Sequence, residues 1–81
     1  QPGDVINSIR TAVDSARAQL DKSMLEWEEL LVEYRAAVAG KTEMSRRDIA
    51  ELRRKMNEAA ADFREDLRAW RESWSALPAA C

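Results

Sequence analysis

Apolar positions recur along this chain at spacings of three and four, and the two halves carry the same rhythm in opposite directions. From the N-terminal side the apolar or small positions run Ile6, Ile9, Val13, Ala16, Leu20, Met24, Trp27, Leu31, Tyr34 and Val38. Backwards from the C-terminal side they run Leu77, Trp74, Trp70, Leu67, Phe63, Ala59, Met56, Leu52 and Ile49. Residues three and four apart share one face of a helix, so each series marks one amphipathic helix. In each, two steps of four fall together once, around Leu20 and around Phe63. Such a double four is a stutter, a local relaxation of the supercoil that a heptad repeat imposes. A partner helix has to relax at the same height, which predicts Leu20 opposite Phe63. The same register sets Ile6 opposite Leu77, Trp27 opposite Met56 and Tyr34 opposite Ile49. The expected fold is all-α: a two-helix antiparallel coiled-coil hairpin.

Start and stop signals bound the two helices. Asp4 is placed to cap the first, which is expected over about 5–39, with Gly40 suited to the left-handed residue past its end. A short turn, 40–44, leads to Ser45, an N-cap with Asp48 three residues on in an approximate capping box. Met44 and Ile49 occupy the two positions of a hydrophobic staple. The second helix is expected over about 45–77, with Pro78 ending it. Neither span contains an interior Gly or Pro, and the short turn makes the helices antiparallel neighbours. The whole of 1–81 reads as one hairpin.

Composition narrows the chemistry. The 81 residues are 46% hydrophobic and 35% charged, the profile of long helices rather than of a disordered tail. There is no histidine, which removes the commonest general base and metal ligand. The single cysteine, Cys81, can form neither an intrachain disulfide nor a thiolate cluster. Glu26, Glu28, Glu29 and Glu33 fall on a solvated part of the first helix, with no water-excluding cleft to perturb them. No catalytic, cofactor or metal site is therefore expected, nor a small-molecule substrate. A net charge of −2 supplies no overall attraction to nucleic acid or anionic lipid. No apolar run is long enough to cross a membrane, and no signal-peptide pattern opens the chain. An opening Gln reads as a processed product or an excised piece, and compartment is left undetermined.

Two features depart from a self-sufficient hairpin. Leu25 and Val32 project off the seam of the first helix, and Leu30 lies on its opposite shoulder. A seam widened on both shoulders is more than two helices can cover, so a further helix is expected there. Two copies packed first helix on first helix would complete a four-helix bundle. The second feature is a set of arginines along one edge. Asp14, Asp21 and Glu28 are expected to pair with Arg71, Arg64 and Arg53 across the seam. Arg35 and Arg46, near the turn, have no evident acidic neighbour. The expected function is a non-enzymatic protein–protein interaction or scaffold module that self-associates or docks a partner helix, with Leu25, Leu30 and Val32 as contact residues. The alternative is binding of a polyanion, nucleic acid or acidic protein, through Arg35, Arg46 and Arg53.

Overall fold

A computed structural model describes residues 2–76. Two helices, α1 (Pro2–Val38) and α2 (Arg46–Trp74), fold back on each other. Helix α1 starts earlier than expected: Pro2 opens it, since a fixed φ and a missing N–H suit a first turn. Asp4 consequently sits inside that turn rather than at the cap, where its charge still favours the positive end of the helix dipole. The expected roles of Leu77, Pro78 and Cys81 lie outside the described residues.

The turn is built as its residues dictate. Gly40 has φ +75°, a left-handed conformation that costs a side-chain-bearing residue. Around it the Lys41 amide donates to Ala36 O (2.9 Å) and the Gly40 amide to Ala37 O (3.1 Å), the paired bonds of a Schellman motif. Ser45 then caps α2, its Oγ accepting from the Asp48 amide at 3.1 Å. Met44 and Ile49 are both partly buried, as a staple requires.

Three contacts define how the helices meet. Trp27 stacks on Phe63, the Ser23 hydroxyl donates to the Asp66 carboxylate, and the Arg17 guanidinium lies over the Trp70 ring. Partners rise along α1 as they fall along α2, so the helices are antiparallel. The register differs from the expected one, however. Trp27 faces Phe63 rather than Met56, about two turns further along α2.

Burial gives the reason. Ser23 and Ala37 are each only 4% exposed, while Val38 is 60% exposed. The buried and half-buried positions of α1 include Ile6, Ile9, Val13, Ala16, Leu20, Ser23, Trp27, Leu30, Tyr34 and Ala37, an unbroken alternation of three and four. Those of α2 include Ile49, Leu52, Met56, Ala59, Phe63, Asp66, Trp70 and Ser73 in the same alternation. Neither helix stutters at its seam. A continuous heptad keeps one face toward the partner, and it does so by admitting Ser23, Asp66 and Ser73 to that face. Met24, Leu31, Val38, Leu67 and Trp74 lie one position outside it.

The result is a rod of 60 × 14 × 14 Å. Its core is thin: Val13, Leu20, Ala37, Leu52 and Ala59 are the buried apolar residues among those described, and no large side chain is fully enclosed. The surface is 6250 Å², against roughly 4,900 Å² for a compact monomer of this mass.

Candidate interaction surface

Lettering each heptad a to g, with the seam at a and d, divides the rod into two unlike edges. In an antiparallel pair the g positions of both helices share one edge and the e positions the other. Gln19 and Glu26 of α1 and Asp62 of α2, all at g, do line one groove, together with Lys22, Ser23, Glu65 and Asp66. This open groove, about 300 Å³, carries four carboxylates against one lysine. Its floor is the polar layer of the seam. The Ser23 hydroxyl reaches both Asp66 and the Gln19 carbonyl, at 3.0 Å for the latter. No cluster of three or more His, Cys, Asp or Glu side chains fit to hold a metal ion occurs among the described residues.

The opposite edge is apolar at its centre. It carries Met24, Leu31 and Val38 from α1 and Ala60, Leu67 and Trp74 from α2. Trp74 makes an edge-on contact with Trp70, centroids 6.1 Å apart and planes at 89°. Trp74 is nonetheless 46% exposed, so this pair of rings sits only half in the core. Arg17 covers Trp70 from the same edge, its guanidinium carbon 5.3 Å from the ring centroid, a cation–π contact.

The contact residues expected from sequence are separated by this geometry. Leu25 and Val32, 56% and 68% exposed, fall at the outermost position of α1. Leu30 does not join them; it is a half-buried seam residue. Arg46 and Arg53 lie at the turn end of the e edge, and Arg35 beside them on α1, all exposed. The expected pairs of Asp14, Asp21 and Glu28 with arginines of α2 do not form. Ion pairs among the described residues stay within one helix: Arg17–Asp21 at 3.0 Å, and Arg54 with Glu51 and Glu58 at 2.5 Å each. In the observed register Asp14, Asp21 and Glu28 occupy b positions, which face away from α2. The Arg54 bonds hold the Glu51 carboxyl below the usual carboxylate range.

Pattern reading did not single out Ser23 and Asp66, although their spacing was visible. Each continues a three–four alternation, but a larger apolar residue stands next to it. Compared with known protein families, characterised proteins and solved structures, the chain matches none. No described helix is long and apolar enough to cross a membrane.

Proposed function

We propose that this chain is a non-enzymatic protein–protein interaction module, a helical hairpin that works as a scaffold or assembly segment once further helices pack on it. The observation that carries this reading is apolar surface beyond what two helices can cover. Leu25, Val32, Val38 and Trp74 are 46–68% exposed on a rod with almost no enclosed core. Burying a Leu or Val side chain stabilises by roughly 1.5–3 kcal/mol, a large share of the margin available to a domain this small. Association and folding are therefore coupled in this reading. The test is thermal unfolding followed by circular dichroism between 1 and 100 µM chain, with an environment-sensitive apolar dye as a second probe. A midpoint that climbs with concentration, or a weakly stable monomer that binds the dye, fits the module. A monomer that melts sharply at one high temperature throughout, without taking up dye, rules it out.

A second reading rests on Arg35, Arg46 and Arg53. All three are exposed, lie near the turn, and join none of the ion pairs above. Three free guanidinium groups at one end of a rod are suited to phosphate or carboxylate oxygens. Binding through them would fall steeply with salt, because neutralised phosphates release counterions. Failure to bind duplex DNA, RNA or anionic vesicles at about 50 mM salt removes this reading.

A further inference from the structure

The charges on either side of the apolar edge are sorted by helix. Alongside the strip the b positions of α1 are Asp14, Asp21 and Glu28, with Arg35 following only at the turn end; those of α2 are Arg64 and Arg71, with uncharged Ala50 and Asn57 toward the turn, all exposed. Between them runs the apolar strip of Met24, Leu31, Leu67 and Trp74. Across its width the face therefore reads acidic, apolar, basic.

We infer that this face takes a second copy of the same chain, with α1 of each copy lying antiparallel on α2 of the other. This deepens the reading of the hairpin as an association module and rests on it. Two symmetric ways of stacking such faces exist. A two-fold axis across the rod lays α1 on α1 and α2 on α2. Asp14, Asp21 and Glu28 then meet their own counterparts, and so do Arg64 and Arg71. A two-fold axis along the rod exchanges left for right, so the acidic flank of each copy meets the basic flank of the other. The observed register puts Arg64 at a height between Asp21 and Glu28, and Arg71 between Asp14 and Asp21, so opposite charges interleave. Like charges brought together discriminate strongly between such alternatives. Charge sorting thus selects the axis along the rod over the α1-on-α1 dimer expected from sequence.

Area and patterning agree with a second copy. Where α2, 29 residues and roughly 43 Å long, lies beside α1, a face 14 Å wide offers roughly 600 Å² per copy, one partner's share at the lower end of specific interfaces. Apolar residues at a, d and e, a three-in-seven face, are what a helix presents to the core of a bundle rather than to one partner. Leu25 and Val32 stay outside this dimer. Arg35, Arg46 and Arg53 of both copies gather at its turn end, where their long side chains keep to water.

The test uses the full 81-residue chain at tens of micromolar, with mass from light scattering. The charge variant is Asp21→Arg with Glu28→Arg, at exposed positions that leave the seam intact. The restoring variant adds Arg64→Glu with Arg71→Glu. For orientation, donor and acceptor dyes are placed on Ser8→Cys in a Cys81→Ser background, one dye per chain. The axis along the rod sets the two dyes at the same end. The expected result is a wild-type dimer with strong energy transfer, dissociated at least tenfold more readily by the first pair of changes and restored by the second. A dimer with weak transfer, or one that the added glutamates do not restore, overturns the arrangement. A weakly stable wild-type monomer that binds the apolar dye also overturns it while sparing the module reading; a sharply melting, dye-free monomer overturns both.

Discussion

Trp27 and Phe63 lie flat against each other, ring planes 3° apart and centroids 5.8 Å apart, across the middle of the hairpin. Parallel overlap of two large rings at adjacent seam positions ties the helices into one register, because a slip of one turn separates the rings. The register can be read chemically. Cysteines at Ser23 and Asp66, in a Cys81→Ser background, should oxidise to an intrachain disulfide, since these two side chains already touch. Cysteines at Ala16 and Leu67, opposite each other in the stuttered register, should do so far less well. Titration of free thiols after mild oxidation decides between them. Trp27→Ala should cost about 2–3 kcal/mol of unfolding free energy, less than a fully enclosed ring because Trp27 is partly exposed. Glu29→Ala, on the outer face, should stay within about 0.5 kcal/mol of wild type.

The Ser23–Asp66 layer sets two facing polar side chains in the middle of a largely apolar seam, and such layers trade stability for a unique pairing. Ser23→Leu with Asp66→Leu should raise the unfolding free energy by about 1–3 kcal/mol. The same change should let alternative pairings form, seen as the second cysteine pair beginning to cross-link. Ser23→Ala alone should be destabilising by about 1 kcal/mol, because it leaves the Asp66 carboxylate at the seam without its donor. Chemical unfolding in urea measures all three.

Gly40 and Ser45 are expected to matter more than any other residue of the turn. A Cβ on Gly40 would meet no atom within 4 Å, so the penalty for Gly40→Ala is the left-handed backbone alone, about 1–2 kcal/mol. Gly40→Asn should cost less, since Asn tolerates that conformation. Ser45→Ala should cost about 1 kcal/mol by leaving the Asp48 amide without its acceptor.

Glu51 supplies a pH signature. Its hydrogen bonds from Arg54 lower its pKa in the folded chain, so the pair stabilises the fold at neutral pH. That contribution fades as pH falls through the folded-state value, below the ordinary carboxylate range. A stability difference between wild type and Glu51→Gln should therefore be present near pH 7 and close up under stronger acid. Both groups face solvent, so the difference should be small and shrink further with added salt.

Local chemistry determined much of this protein from its sequence alone. Two helices, their antiparallel order, the turn at Gly40 and the cap at Ser45 follow from short-range signals: three–four periodicity, a glycine free to take positive φ, and a hydroxyl beside free amides. The register did not follow. Hydrophobicity favours Met24 over Ser23, Val38 over Ala37, Leu67 over Asp66 and Trp74 over Ser73, and the spacing that follows takes Leu31 in place of the equally apolar Leu30; each choice moves the seam from d to e. Taken together those choices generate a stutter that the folded chain does not contain. Only the paired helices decide the matter, because a continuous supercoil must keep one face toward its partner and will bury a serine to do so. The residues thereby displaced form an apolar edge between an acidic and a basic flank. That edge exists only when both helices are in place, since it takes half its residues from each.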